Sequence, residues 1–164
     1  MLFEAKGFYI DLIENNDLVK IVEVYNSNKH FLAGHMDKEK ITNEWMIKEL
    51  QSMKEAGFYS CKIVEKCSEK LIGVLEFKQD IETYLSLIMI HNNYKSKGIG
   101  KTIFDAFEEY LVLSNCKCIR IDVVTNYDSS VLEFWTKNKF LKINDIELNW
   151  TGKLLPAVIM KKYL

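Results

Sequence analysis

A glycine-containing stretch between an apolar run and a helical pattern constrains the fold of this chain most strongly. The apolar run Thr83–Ile90 (TYLSLIMI) precedes residues 94–102 (YKSKGIGKT), and apolar residues then recur at helical spacing to about Leu113. Free N–H groups at the start of a helix carry partial positive charge, and glycine lets an anion approach the backbone. The sequence therefore predicts a strand–loop–helix unit whose loop binds phosphate.

Two nucleotide-binding motifs fit this stretch only in part. Gly100, Lys101 and Thr102 match the end of a P-loop, but its first glycine would fall at Lys95. A dinucleotide fingerprint, G-x-G-x-x-G, would need a glycine at Ile103. Both motifs therefore fail at one required residue.

Composition limits the class of protein. The 164 residues suit a single domain over residues 1–164, and the net charge of −1 gives no basic field for nucleic acid. No apolar run approaches the ~20 residues that span a bilayer, and the acidic N-terminal stretch does not resemble a secretory signal. The cysteines lack zinc-ligand spacing. We therefore expect a cytoplasmic protein without nucleic-acid, membrane or metal partners.

The remaining pattern predicts a mixed α/β sheet with one strand–helix–strand crossover around the glycine loop. Helical patterns follow Asn15 or Asn16, Asp37, the glycine loop, and Asp128 or Ser129. About seven strands and about four helices result, in the order β-α-α-β-β-β-α-β-α-β-β. The strand-like runs cover residues 7–13, 58–65, 71–78, 83–90, 118–124, 140–150 and 156–164.

The glycine loop and the segments after it resemble the GNAT superfamily of acetyl-CoA-dependent N-acetyltransferases. Lys95–Gly100 (KSKGIG) follows the family signature Q/R-x-x-G-x-G/A, with lysine in place of glutamine or arginine. Asn126–Phe140 is similar to the family's second coenzyme-contacting helix, and the order of elements matches over nearly the whole chain. The resemblance implies a mostly antiparallel GNAT sheet, acetyl-CoA as co-substrate, and direct acetyl transfer to an amine without a metal.

The resemblance also implies which residues contact acetyl-CoA. A backbone N–H at about Leu87 would polarise the thioester carbonyl. Trp135 would pack against the pantetheine arm, where the family often has a tyrosine that acts as an acid. Asp128 replaces an asparagine of the family, and helix capping is its alternative role. The implied coenzyme-binding residues are Ile88, Met89, Ile90, Lys95, Ser96, Lys97, Gly98, Ile99, Gly100, Lys101, Thr102, Asn126, Asp128, Ser130 and Trp135.

The acceptor amine must lose a proton before it attacks. Deprotonation at pH 7 costs roughly 4.6 kcal/mol for a lysine-like amine but only about 1 kcal/mol for an α-amino group. Tyr84 occupies the position of the family's glutamate base, so Glu82, Tyr84 and Ser86 are expected to hold a water that takes the proton. A solvated acid at the end of a strand is the alternative for Glu82, and Glu76 is a second candidate base.

Other polar residues receive narrower expectations. An indole N–H is not a usable acid, so Tyr127 or water would protonate the leaving thiolate. His91 directly follows the strand, and alternation predicts that it faces away from Tyr84 as a loop residue. Phe31 and His35 lie between the first two predicted helices and are candidate substrate contacts.

The sequence leaves the acceptor open among a polyamine, an amino acid, an antibiotic and a protein N-terminus. Its balanced composition indicates neither an acidic nor a basic cleft. A module that binds and senses acyl-CoA without turnover is the alternative function, because the usual tyrosine and glutamate are replaced. Exposed strand edges leave room for a homodimer.

Overall fold

A single mixed sheet organises the chain, which a computed structural model describes at residues 1–150 and 152–164. Within these residues it has eight strands and five helices, so the predicted fold class is confirmed with one more of each. In chain order the elements are β1 (Phe3–Ala5), β2 (Phe8–Leu12), α1 (Leu18–Ser27), α2 (Lys29–Met36), α3 (Asn43–Glu55), β3 (Tyr59–Glu65), β4 (Lys70–Lys78), β5 (Glu82–Ile90), α4 (Ile99–Leu113), β6 (Cys118–Val124), α5 (Ser129–Lys137), β7 (Leu141–Trp150) and β8 (Lys153–Tyr163).

The strands lie in the order β1-β2-β3-β4-β5-β6-β8-β7 across the sheet. Every neighbouring pair is antiparallel except β5–β6, which the crossover helix α4 joins. This arrangement confirms the crossover predicted around the glycine loop, and it places that loop at the carboxyl end of β5.

Two apolar cores cover opposite faces of the sheet. Phe104 and Phe107 of α4 pack into the first core, and Tyr25 of α1 packs into the second. Along β4, Val74 belongs to the second core and Leu75 to the first, as strand alternation requires. The helices α4 and α5 therefore lie on one face, and α1 to α3 lie on the other.

A β-bulge changes the side-chain alternation of β5. Phe77 of β4 pairs with Leu85 and Glu76 pairs with Leu87, so Ser86 is an extra residue in β5. Leu85 packs into the first core, whereas Leu87 packs into the second. Face assignments made before Ser86 therefore do not carry over to the residues after it.

The pairing between β5 and β6 is short. It includes only Glu82 with Cys118, Thr83 with Ile119, and Tyr84 with Arg120. Beyond the last of these pairs the two strands separate toward the glycine loop. This separation opens the sheet at its centre.

The N-terminal part differs from the sequence prediction. A first strand pairs with the predicted one through a turn at Gly7, whose φ of +84° suits glycine. Residues 15–17 form a 3-10 turn that precedes α1. The prediction that Asp37 begins a helix is wrong: Asp37 adopts a left-handed conformation (φ 51°) and ends α2. Thr42 caps α3 instead, accepting a hydrogen bond from Trp45 N (3.1 Å).

Candidate active site

A cavity of about 220 Å³ lies where β5 and β6 separate. One end reaches the loop between β5 and α4, and the other lies between α2 and the tip of the β7–β8 hairpin. Its lining residues are Asn28, His30, Phe31, His35, Leu85, Ser86, Leu87, Ile88, Met89, Ile90, Lys95, Ile121, Asp122, Val123, Tyr127, Asp128, Val131, Trp135, Leu148 and Trp150.

The glycine loop, Lys95–Thr102, has the geometry of an anion cradle, and its Lys95 is the residue that lines the cavity at the glycine-loop end. The first backbone bond of α4 runs from Thr102 N to Gly98 O (3.1 Å), so the N–H groups of Ile99, Gly100 and Lys101 have no partner within the helix. Gly98 has a φ of +74°, which favours glycine, and a Cβ at Gly98 or Gly100 would contact nothing within 4 Å. These N–H groups are therefore open to an anion.

Three lysines surround this cradle. Lys95 lines the cavity, and burial lowers the pKa of its ammonium while the nearby Asp128 carboxylate opposes that effect. Lys97 lies over the ring of Tyr94, 5.6 Å from its centroid. Lys101 forms an ion pair with Asp105 one turn further along α4. Lys95 is therefore the lysine that the structure brings into the cavity.

The start of α5 forms a second part of this end. Asp128 caps the helix by accepting a hydrogen bond from Ser130 N (2.9 Å), and bonding to Ser130 lowers the pKa of the Asp128 carboxyl. The capping role proposed as the alternative for Asp128 is thus observed. Asn126 and Ser130 are exposed and are not among the cavity-lining residues.

Trp135 has a structural role as well as a place in the cavity wall. It is 8% exposed and packs edge-on against Phe104 and Phe140, with ring centroids 5.2 and 5.1 Å away. The residue that replaces the family's usual tyrosine therefore presents an apolar surface to the cavity.

The carboxyl end of β5 is tied to the junction of α1 and α2. Asn28 is 3% exposed, and its Nδ2 donates hydrogen bonds to Ile90 O (3.1 Å) and Val24 O (2.8 Å). Ser27 Oγ accepts a hydrogen bond from Asn92 N (3.0 Å) in the following loop. His91 Nδ1 accepts a hydrogen bond from Asn93 N and caps this turn, which confirms the prediction that His91 is a loop residue. The strand alternation from which its orientation was predicted, however, is interrupted by the bulge at Ser86.

The residues predicted to hold a catalytic water are separated in the structure. Ser86 and Leu87 line the cavity, but Glu82 lies outside it and forms an ion pair with Lys161 (2.6 Å). Tyr84 packs edge-on against Phe58 (6.0 Å), also outside the lining. Burial and the Asp122 carboxylate raise the pKa of the Tyr84 hydroxyl, so it holds its proton at neutral pH.

Glu76 is a buried acid beside the bulge. It is 2% exposed, lies opposite Leu87, and its Oε1 has no hydrogen-bond partner among the described residues. Burial, reinforced by the Glu49 carboxylate, raises the pKa of Glu76 to about 8. Its carboxyl therefore titrates near neutral pH, although it is not among the cavity-lining residues.

The other end of the cavity, called the aromatic end, is formed by Phe31, His35, Tyr127 and Trp150. The His35 ring stacks on Phe31 (4.3 Å) and meets Trp150 edge-on (5.5 Å). His35 Nδ1 and the Tyr127 hydroxyl are hydrogen-bond partners. Burial, reinforced by the charge of Lys153, lowers the pKa of His35 to about 4. Burial and the nearby Asp128 raise the pKa of Tyr127, which makes it a weaker acid than an ordinary tyrosine.

Sequence reasoning missed several cavity residues, among them Asn28, Asp122 and Trp150. Asp122 is a polar residue within an apolar strand, and that interruption was the one available signal. Its side chain is 5% exposed and is held by Arg120 through two hydrogen bonds (3.0 and 3.1 Å). Trp150 reaches the cavity because the β7–β8 hairpin, whose two strands the sequence predicts to pair, places it against Phe31 and His35 of α2. Its local sequence does not indicate this tertiary contact.

No group of three or more histidine, cysteine or acidic side chains in the described part of the chain could hold a metal ion. Among residues 1–150 and 152–164, no helix is long and apolar enough to cross a membrane.

Solved structures share this architecture at low sequence identity. An acetyltransferase from Thermus thermophilus has a TM-score of 0.79 and 16% identity, covering 96% of this chain and 97% of its own. Spermidine N-acetyltransferase from Vibrio cholerae, in complex with CoA and spermine, has a TM-score of 0.74 and 13% identity, covering 96% of each chain. PaiA N-acetyltransferase from Thermoplasma acidophilum, in complex with coenzyme A, has a TM-score of 0.66 and 19% identity, covering 96% of this chain and 99% of its own.

Sequence comparison identifies the family. No curated protein sequence is detectably similar to this chain. The sequence model of the acetyltransferase (GNAT) family, however, matches residues 18–140. This range includes the glycine loop and the helices α2 and α5, which contribute residues to the cavity wall. Because this match spans most of the chain, the protein belongs to the acetyltransferase (GNAT) family and is an acetyl-CoA-dependent N-acetyltransferase.

Proposed function

We propose that the enzyme transfers the acetyl group of acetyl-CoA directly to the amine of a small molecule or peptide. The observation that best supports this is the end of β5–β6 pairing at Tyr84 and Arg120. The separation opens the sheet beside an anion cradle, so a coenzyme arm can lie between the strands while its phosphates occupy the glycine-loop end.

Each part of the cavity has a proposed task. The N–H groups of Ile99 to Lys101, together with Lys95 and Lys97, bind the phosphates. The edge of β5 from Leu85 to Ile90 binds the pantetheine amides, and a backbone N–H near Leu87 polarises the carbonyl. Acetyl-CoA, when bound, supplies the activated acetyl thioester.

The carboxylates that line the described cavity are already engaged in other contacts, so an acceptor amine of low basicity, which needs no strong base, suits this site best. Asp122 is held by Arg120, and Asp128 caps α5, so neither is free to act as a strong base. An α-amino group, which costs only about 1 kcal/mol to deprotonate at pH 7, needs little help. Glu82 is ion-paired with Lys161, and Glu76 is buried outside the cavity lining with a pKa of about 8, which leaves it mostly protonated at pH 7, so we expect water to take the proton of such an acceptor.

Thermal unfolding with excess acetyl-CoA, CoA or Mg-ATP tests the coenzyme assignment. A ligand at ~100 times its Kd adds about 2.7 kcal/mol, which should raise the Tm by roughly 5–10 °C. We expect this rise with acetyl-CoA and CoA but not with Mg-ATP. A rise with Mg-ATP alone would contradict the assignment of the loop.

Acetyl transfer itself is tested by mass spectrometry of amines incubated with the enzyme and acetyl-CoA. We expect a mass increase of one acetyl group on at least one amine of a panel that includes polyamines, amino-acid amides and peptides. Binding of acetyl-CoA without any acetylated product would favour the acyl-CoA-sensing alternative. The cytoplasmic location and the homodimer stay predictions.

A further inference from the structure

The aromatic end of the cavity contains two side chains that can exchange a proton. His35 Nδ1 and the Tyr127 hydroxyl are hydrogen-bond partners, and both side chains line the cavity. Among the described residues, the buried side-chain atoms without a partner lie on Ser60, Glu76 and Trp150. His35 Nε2 has no partner there either but is not one of these atoms, so it is accessible. A molecule in this cavity of about 220 Å³ can therefore reach the His35–Tyr127 pair.

The surroundings keep both members of the His35–Tyr127 pair neutral. Burial and the charge of Lys153 lower the pKa of His35 to about 4, so its imidazole is uncharged at pH 7. Burial and the Asp128 carboxylate raise the pKa of Tyr127, so its hydroxyl keeps its proton. Taken separately, His35 is a poor base and Tyr127 is a poor acid, because each would have to become charged.

The His35–Tyr127 pair nevertheless has two neutral forms. A neutral imidazole has one N–H and one acceptor nitrogen, and a hydroxyl both donates and accepts. When Nδ1–H donates to the Tyr127 oxygen, the Tyr127 O–H and the Nε2 lone pair are free. When the Tyr127 O–H donates to Nδ1, the Nε2–H and a lone pair on the Tyr127 oxygen are free. In either form the pair offers one donor and one acceptor, and a proton shift along it creates no charge.

Acetyl transfer needs a proton shift of this kind. Once water has taken the first proton of the acceptor ammonium, the neutral amine attacks the carbonyl carbon and forms the C–N bond. The attacking nitrogen then carries one proton in excess, and cleavage of the C–S bond leaves a thiolate that needs one. A path that accepts a proton at one end and releases another at the other end meets both needs.

We propose that the His35–Tyr127 pair carries this proton from the attacking nitrogen to the leaving sulfur. His35 Nε2 accepts the proton of the nitrogen, the Nδ1 proton passes to the Tyr127 oxygen, and the original Tyr127 hydroxyl proton goes to the sulfur as the C–S bond breaks. The pair is left in its other neutral form, and proton exchange with water restores the first.

The positions of the two residues set the direction of this relay. His35 lies on α2 with Phe31, at the aromatic end. Tyr127 directly precedes α5, which together with the glycine loop flanks the end proposed for the coenzyme. The relay rests on the proposed function, since it supplies a proton path for the same reaction.

A double-mutant cycle in the full-length enzyme tests the relay. Tyr127→Phe removes the hydroxyl, and His35→Asn keeps a polar group near the position of Nδ1 but has no second nitrogen to complete the path. Single-turnover acetylation of the amine that reacts fastest in the proposed panel, at saturating acetyl-CoA, measures the chemical step. We expect each variant to lower this rate about a hundredfold, and the double variant to be no slower than either. Tyr163→Phe, at an exposed position of β8, should keep the wild-type rate.

A solvent isotope measurement gives a readout that a purely structural role would not change. In mixtures of H₂O and D₂O, the single-turnover rate of the wild type should fall along a curve as the deuterium fraction rises, because several protons move in one step. The remaining rate of Tyr127→Phe should fall along a straight line, because the chain of transfers is broken. A straight line for the wild type would contradict the relay.

The outcomes separate the relay from the proposed function. A double variant slowed about ten-thousandfold would show that the two residues act independently, which overturns the relay. A single variant that raises KM for the amine but keeps the single-turnover rate would assign the pair to binding alone, which also overturns it. Both results leave the acetyltransferase function intact. If acetyl-CoA gives no thermal shift and no amine is acetylated, the proposed function itself fails, and the relay with it.

Discussion

The glycine loop at one end of the cavity is one continuous segment, Lys95–Thr102, whereas the aromatic end is assembled from three distant parts of the chain. Phe31 and His35 come from α2, Tyr127 precedes α5, and Trp150 ends β7. Phosphate binding needs mainly backbone N–H groups, which a short loop and a helix start can supply locally. Selection of an acceptor needs side chains of particular shapes, which only tertiary packing brings together.

The largest effect is expected from a substitution in the glycine loop, which should weaken acetyl-CoA binding without changing the aromatic end. In Gly100→Glu, a carboxylate would enter the open space beside the free N–H groups and repel the coenzyme phosphates. We expect acetyl-CoA affinity to fall by at least about a thousandfold, equivalent to about 4 kcal/mol, in calorimetric titration. The chain should still fold, because a Cβ at this position meets no atom within 4 Å.

Gly100→Ala is the control for size. Alanine stabilises a helical position by up to about 1 kcal/mol relative to glycine, so this variant should unfold at a slightly higher temperature. Unchanged acetyl-CoA affinity in the folded Gly100→Glu variant would show that this end does not bind the coenzyme.

The second prediction concerns the stability cost of burying the Glu76 carboxyl on the sheet face that α1 to α3 cover. The pKa of Glu76 is about 8 in the folded chain and ~4.3 when unfolded, so between these values the folded state binds more protons. Stability should therefore fall as pH rises across this window. We expect the free energy of unfolding of Glu76→Gln, relative to that of the wild type, to increase by about 3 kcal/mol as the pH is raised from 5 to 8. Urea unfolding at several pH values measures this difference.

Glu133→Gln is the matched control, because Glu133 is exposed on α5. Its stability should follow the wild-type pH dependence. If Glu76→Gln also ran parallel to the wild type over this range, the carboxyl of Glu76 would be ionised without penalty in the folded protein.

The smallest effect is expected at the aromatic end alone. A Cβ at Gly34 would lie 2.5 Å from the Tyr127 ring, so Gly34→Ala must displace that ring. We expect kcat/KM for the acceptor to fall about tenfold, as for a small misplacement of a binding group, with acetyl-CoA affinity unchanged. Ala33→Gly, at an exposed neighbouring position of α2, should alter neither quantity. An equal loss of acetyl-CoA affinity in Gly34→Ala would show that the two ends are not independent.

The same comparison explains what could be predicted from the sequence. The crossover, a helix cap at Asp128 or Ser129 and the order of elements from β3 onward depend on local patterns, and the structure confirms them, with Asp128 as the cap. Before β3 it adds the strand β1 and the helix α2. Asp37 was misassigned because an aspartate suits both a helix start and a left-handed helix end. Trp150 and Asn28 could not be assigned to the cavity, because their positions depend on packing against α2 and on a contact across 62 residues of sequence.

The bulge at Ser86 has a consequence for how this gene can vary. The alternation of side chains between the two faces of the sheet is shifted by one residue at Ser86, so that Leu85 packs into one core and Leu87 into the other. Loss of a single codon between the bulge and the glycine loop would turn the following apolar residues toward the wrong helices. The length of β5 is therefore as strongly constrained as the identity of its side chains, and viable insertions or deletions should fall outside Glu82–Ile90.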